Sequence, residues 1–482
     1  MRKTALILLI GAFVAGCSLK PDMIEIQQTY EYKFDVYSIN EKWWESFGDE
    51  KLNSLISQAL KNNSDLLIAL NNIEQAKINL NLANVELFPN INLNGEATKN
   101  RSSGETYMGQ DNKKYNAFSL NTALSYEIDL WGRVRDSANA SEAIFKATKY
   151  DYDSAMLSIA STTANTYFML ISLKEQENIL NETLNTYEET LIYRQKELNA
   201  GAIDELTYYQ AQAAVHSAKT QLIGIQTQIA QTNSALSVLV GKNLNDILYQ
   251  SIDSPNTLPT MPEVPSGISS DVLLHRADIA SSLERLKASN FLVGVARTAW
   301  LPQLSLTGIF GFSSDEFNRF FVNNANIWSV GGSIMMPLLD FGRTKNRVEL
   351  ANLEQNASFL SYDKAVKTAF GEIRTALDTR KNSVLKEQSM QDLVKSQTKV
   401  YDLSKARYDD GYSTHLEFLD SQRNLLSARL SLAQSKLDVA TSVVDVYKSL
   451  GGGFNYKEDN LNLGNPKTAQ KRAVFFCLIY TA

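Results

Sequence analysis

The sequence predicts an α+β membrane protein: four strands of bilayer-spanning type, carried on helices far longer than a compact domain uses. Three observations predict it. The chain is written twice, with landmarks recurring 210 positions apart. Each copy holds a stretch of about 67 residues nearly free of helix breakers, about 100 Å as one straight helix. Each copy also holds alternating apolar and polar runs of the kind a strand makes.

Taken in chain order, the first element is a targeting segment. Arg2 and Lys3 precede an apolar run, Ala5 to Ala15, too short to span a bilayer. Residues 1–16 therefore read as a signal peptide. It ends in Val14-Ala15-Gly16-Cys17, which resembles the bacterial lipobox: cleavage before Cys17 leaves a thiol to carry a diacylglycerol. Ser18 resembles an outer-membrane sorting residue. The alternative is an ordinary signal with an incidental Cys. Residues 17–48 are then a lipid-anchored N-terminal segment. No later run of eighteen apolar residues exists, so any crossing of a membrane falls to strands.

The first repeat spans 49–250. Its opening helix starts after Trp43-Trp44 and breaks at Asn62-Asn63, with Ser64 as the expected N-cap. The helix resumes and stops at Pro89. A hairpin follows over 90–130. Its second strand alternates cleanly: Phe118, Leu120, Thr122, Leu124, Tyr126, Ile128 and Leu130 share one face. That run is as long as a tilted strand needs to cross a bilayer. A long helix over 133–200 and another over 203–240 complete the copy. A Pro-rich linker, 251–267, leads to the second repeat, 268–450. This holds a helix, a hairpin over 303–339 with Leu304, Leu306, Ile309, Trp328, Val330 and Ser333, a long helix over 343–409 and a last helix over 413–450. Trp131-Gly132-Arg133 pairs with Phe341-Gly342-Arg343, and Gly201 with Gly411. The seams agree too. Met156, Ala160, Thr163 and Tyr167 match Val366, Phe370, Ile373 and Leu377 in coiled-coil steps.

Four strands cannot close around a pore, and an open sheet edge is intolerable in lipid. The chain must oligomerise. Its formal net charge of −6 and the lack of a basic stripe argue against nucleic acid as a partner. The chain is not expected to be an enzyme. The three histidines (His216, His275, His415) are scattered, and no HExxH, GxSxG, Walker or dinucleotide-binding motif occurs. His415, at a predicted turn, is expected to be solvated. No metal or cofactor is expected beyond the lipid on Cys17.

Further runs resemble a known family: Trp43-Trp44-Glu45-Ser46-Phe47, Tyr126 to Arg133, Val264 to Ile279, Arg297 to Pro302, Phe370 to Arg374, and Ala406 to Asp420. The chain is similar to outer membrane factors of tripartite efflux systems, the TolC and OprM type, most closely CmeC-like lipoproteins. Ala277 stands where that family usually has Pro. The resemblance implies a homotrimer with a twelve-stranded outer-membrane β-barrel, four strands per subunit, continued by a long periplasmic α-helical barrel. It implies docking on a periplasmic adaptor joined to an inner-membrane RND pump, with drugs or other toxic small molecules as cargo. Metal-ion efflux and type I protein secretion are the alternatives within the family. A coiled-coil adhesive lipoprotein is the alternative outside it.

The resemblance also implies site residues. Leu416 would form an apolar constriction, and Asp420 an acidic ring with Glu417 nearby. Gly201, Asp204 and Tyr208 in the first turn, and Tyr408, Asp410 and Gly411 in the second, would shape the tips and the hydrogen bonds that hold the aperture shut. The tail, 451–482, departs from the family. Asn465 to Ala482 turns basic, then apolar, and reads as a disordered terminus from a frameshift or read-through.

Overall fold

The computed structural model describes residues 19–21, 42–101, 103, 114–263 and 276–453. Cys17, Ser18, the whole 264–275 stretch with His275, and the tail beyond Gly453 lie outside the described residues.

A 3-10 turn, Trp43–Phe47, precedes α1 (Glu50–Asn62) and α2 (Ser64–Val85). The strands β1 (Asn90–Arg101) and β2 (Lys114–Ile128) lead to α3 (Arg133–Asn199) and α4 (Glu205–Leu239). A short α5 (Leu244–Tyr249), which the sequence pattern did not announce, closes this half. Then come α6 (Ala277–Thr298), β3 (Gln303–Ser314), β4 (Asn326–Met335), α7 (Arg343–Asp409) and α8 (His415–Ser449). Both α3 and α7 have 67 residues, and both α4 and α8 have 35. The repeat is thus written into element lengths. Gly371 does not interrupt α7.

Local chemistry sets these boundaries. The first helix begins at Glu50, seven residues after Trp43, because the Asp49 carboxylate caps it, accepting from the Lys51 and Leu52 N–H groups. The bend before α2 is capped by Asn63, not Ser64. Asn63 accepts from Asp65 and Leu66, and its amide donates to the Leu239 carbonyl at 3.0 Å. Its burial across from α4 is what favours it over its neighbour. Ala277 is the first residue of α6, a position that tolerates Ala as well as Pro. Gly132 and Gly342 precede α3 and α7 at φ 80° and 87°, where a side chain would be strained. Among the described residues, Phe341, at φ 53°, is the non-glycine residue that shares this strain.

The four strands form one antiparallel sheet in the order β1-β2-β3-β4. Its register decides its character. Ile91 faces Leu124, Leu120 faces Phe312, Thr122 faces Phe310, and Phe310 faces Trp328. Directly opposed residues lie on the same side of a sheet. One face is therefore built of Ile91, Leu93, Leu120, Leu124, Leu306, Phe310, Trp328 and Val330. The other carries Asn92, Asn94, Asn121, Ser119, Thr307 and Ser329. Ile309, grouped by sequence with Leu304 and Leu306, falls on the polar side because its partners are Ala123 and Ser329. Ser333, opposite Ser305, lies there too.

The helices follow the sheet order. α2 packs on α3, α3 on α6, and α6 on α7, while α4 lies against α3 and α8 against α7 and α3. A waist holds the rods together. Trp43, Phe47, Leu52, Ile56, Tyr167, Phe168, Leu236, Val443 and Val444 form the largest buried cluster. Trp43 stacks on Tyr447 at 5.4 Å, and the Tyr167 hydroxyl donates to Asp49 at 3.0 Å. Of the eight predicted seam residues, Ala160, Thr163, Tyr167, Val366 and Ile373 are buried, while Met156, Phe370 and Leu377 are half-buried. The described part of the Pro-rich linker packs on this waist: Ile252 is buried and its N–H donates to Asn233 at 3.1 Å.

Residues 19–21 lie along α6. Asn290 donates to the Pro21 carbonyl at 3.0 Å, and the Lys20 ammonium sits 4.3 Å from the Phe291 ring centroid. A Cβ on Gly294 would meet Lys20 at 3.0 Å, so glycine makes room for this strap.

Candidate functional site at the helical tips

The two long helices reverse at matched turns. In the first, Gly201 at φ 71° follows α3, and Asp204 caps α4 by accepting from the Thr207 N–H at 2.9 Å. The Thr207 contacts hold the Asp204 carboxyl below its usual range. Tyr208 packs edge-on against Tyr209 at 5.3 Å. In the second turn, Gly411 at φ 78° follows α7 and Thr414 caps α8, accepting from Glu417 N–H at 3.3 Å. Left-handed glycines allow both reversals without cost from a Cβ.

Helical periodicity divides the residues of α8. His415, Phe418, Leu419, Gln422 and Leu426 are buried, one stripe at steps of three and four. Leu416, Glu417 and Asp420 fall off that stripe. Leu416 is 49% exposed. The Glu417 carboxylate lies 3.5 Å from Arg407, and Asp420 lies 3.8 Å from Arg423, both pairs open to solvent. The structure therefore brings Leu416 and Asp420 together, one turn apart on an unoccupied edge. Asp410 is exposed, and its N–H closes the end of α7 on the Ala406 carbonyl at 3.0 Å.

Tyr408 turns inward. It stacks on Phe418 at 5.4 Å with rings 7° apart, and Phe418 stacks in turn on Tyr401. The Arg194 guanidinium, on α3, sits 4.9 Å from the Tyr408 ring centroid and pairs with Glu197. Arg194 is only 4% exposed. Burial raises the Tyr408 hydroxyl above its ordinary range, with Arg194 opposing. This contact joins the first helical hairpin to the second. Sequence reasoning missed Arg194, because nothing in local spacing links a residue of α3 to a residue at the end of α7.

The expectation of a solvated His415 is corrected. The ring is 7% exposed, lies 5.8 Å from Tyr408, and makes no hydrogen bond to protein through either nitrogen. Burial, helped by Arg194, pushes its pKa down to about 4. The signal was present in the sequence: His415 occupies the first position of the apolar stripe that continues through Phe418, Leu419, Gln422 and Leu426.

A sheet apolar on one side and polar on the other, with open edges, standing on 67-residue helices that end in paired tip turns, defines one subunit of an outer-membrane channel. Among the described residues no helix is long and apolar enough to cross a membrane. The chain belongs to the outer membrane efflux protein family, whose model it matches over residues 55–242 and 268–452. It is 35% identical to the Campylobacter jejuni CmeC outer membrane channel, at a TM-score of 0.88, covering 95% of this chain and 98% of that one. The Neisseria gonorrhoeae MtrE channel in its open state matches at 27% identity and a TM-score of 0.79, covering 92% and 100%. The toluene efflux pump outer membrane protein TtgC of Pseudomonas putida is 29% identical over 94% of this chain and 96% of its own length. The cation efflux system protein CusC of Escherichia coli strain K12 is 27% identical over 92% and 98%.

Proposed function

We propose that three copies of this chain close into one duct, twelve strands in the outer membrane above twelve helical rods in the periplasm. The duct receives small toxic molecules from an RND-type inner-membrane pump through a periplasmic adaptor at its tips. One observation carries the reading: the open flanks coincide in both layers. β1 and β4 are the two sheet edges, and α2 and α7, which adjoin them in sequence, are the two ends of the helical layer. Leu67, Leu70, Ile78 and Leu82 on α2 and Leu350, Leu353 and Leu360 on α7 are exposed. Apolar residues are left for a neighbour to cover. A head-to-tail contact of one flank with the other repeats until it closes into a ring. The apolar sheet face then meets lipid and the Asn- and Ser-rich face lines water.

At the tips, three Leu416 side chains narrow the passage by dewetting, and Asp420 with Glu417 adds carboxylates that favour cations. The strap of residues 19–21 supports lipid attachment at Cys17. Arg297, at the end of α6 and just before β3, donates to the Leu19 carbonyl at 3.5 Å. The lipid-bearing residue is then two positions from a point near the barrel. Metal-ion cargo is the second reading, favoured by the likeness to CusC.

Planar-bilayer recording tests the tip assignment. L416A combined with D420N raises conductance; an unchanged channel removes the assignment. Purified protein running as a heat-labile trimer with strong β signal supports the closed ring, and a monomer in native detergent overturns it.

A further inference from the structure

The contact between the two helical hairpins at the tip is made around a buried imidazole. Three elements meet there. From α3 come Arg194 and Glu197, which pair with each other. From α7 comes Tyr408, with Arg407 engaged by Glu417 at the rim. From α8 come His415, Gln422 and Arg423, with Asp420 beside Arg423 on the open side. The polar groups of this cluster are incompletely satisfied. Both His415 ring nitrogens, Arg194 Nε, Gln422 Oε1 and the Tyr187 hydroxyl are buried without a protein hydrogen bond. Such a seam is a costly place for a new charge.

We propose that His415 is a gating residue that makes the closed tip sensitive to periplasmic acid: its protonation loosens the second hairpin from the first. This rests on the reading of the tip as the channel's aperture. The geometry supplies the reason. Charging the ring adds a cation to a buried site already facing Arg194 and Arg423, while the carboxylate that would favour the charge, Glu197, is engaged by Arg194. No acceptor within the protein receives either ring N–H. Once the hairpins part, the ring is hydrated and regains ordinary basicity.

The sign follows from linkage. His415 is neutral in the closed tip, with a pKa of about 4, against about 6.5 for a released imidazole. The closed contact is fully favourable above 6.5 and is weakened as pH falls from there toward 4. Between pH 7.5 and 5.5 the balance in each subunit shifts toward release by about tenfold. The periplasm follows the pH of the medium for small ions, so the device reads the outside directly.

Two measurements on the full-length channel test this. In planar bilayers, stepping the periplasmic side from pH 7.5 to 5.5 raises the open fraction of wild type by about tenfold or more. His415→Phe, which keeps an aromatic ring beside Tyr408, removes that response. A flat wild type overturns the proposal, as does an undiminished response in the variant. His415→Gln serves as a second variant should the first misfold. Histidine C2 hydrogen–deuterium exchange, read by mass spectrometry in detergent, needs no conductance. It is expected to give His415 a pKa well below the ordinary imidazole value of about 6.5. An ordinary value for His415 overturns the proposal even if no current flows, and absent current alone counts against the channel reading instead.

Discussion

Replacing Arg194 by Ala removes the tip cation that packs the first hairpin against Tyr408 of the second, while Arg429–Glu182 and Lys436–Glu175 still join the hairpins further up. Its guanidinium is buried, 4.9 Å from the Tyr408 ring and 5.3 Å from Tyr193. A desolvated cation–π contact is worth about 2 kcal/mol, and an exposed one about half that. The ion pair with Glu197 lies within α3, so its loss bears on the helix and not on the hairpin contact. The coupling lost between hairpins is then about 1–2 kcal/mol per subunit, roughly a 5- to 30-fold shift toward release. Three subunits opening together multiply this to roughly 10²–10⁴. Single-channel recording of R194A reads the open fraction, with thermal unfolding followed in parallel to separate gating from stability. R194K, which keeps charge but loses the planar fork, recovers only part of the closed state. A double-mutant cycle with Y408L isolates the pair and is expected to show about 1–2 kcal/mol of coupling. Strict additivity, or an R194A channel as closed as wild type, refutes the argument.

Two further predictions concern the frame. Gly201 and Gly241 share a left-handed φ, 71° and 69°, but a Cβ at 201 meets nothing within 4 Å whereas one at 241 lies 2.4 Å from the Asn62 carbonyl oxygen. G201A therefore costs about 1–2 kcal/mol from backbone strain alone, and G241A costs clearly more because the α1–α2 bend must move; equal melting temperatures for the two variants contradict this. W43A empties the waist beside Tyr447 and lowers stability by about 3–5 kcal/mol, read as early loss of the oligomer on heating.

Much of this protein was legible in one dimension. The 210-residue offset and the glycine markers foretold two equal long helices, because helix breakers act locally and their absence is as readable as their presence. Strand alternation foretold a sheet with two unlike faces. The gate candidates Leu416, Glu417 and Asp420 came from resemblance, and the structure places them on the exposed edge of α8 without testing their role. Local reading failed where the deciding partner was remote. Asn63 displaced Ser64 as the cap because it also reaches the carbonyl of Leu239. Ile309 changed faces because register across three strands, not hydrophobicity, assigns it.

Periods, breakers and the repeat are properties of neighbouring residues, so the main helices and strands, though not the short α5, could be read from the chain, and the four unclosed strands pointed to an oligomer. Which residues meet at the tip depends on how two rods of about 100 Å, bridged by α6 and α8, are aligned along their length. A shift of one helical turn would separate Arg194 from Tyr408. Only the tertiary packing, fixed at the waist by Trp43, Tyr167 and Tyr447, set that alignment, and with it turned His415 from a surface residue into a buried one.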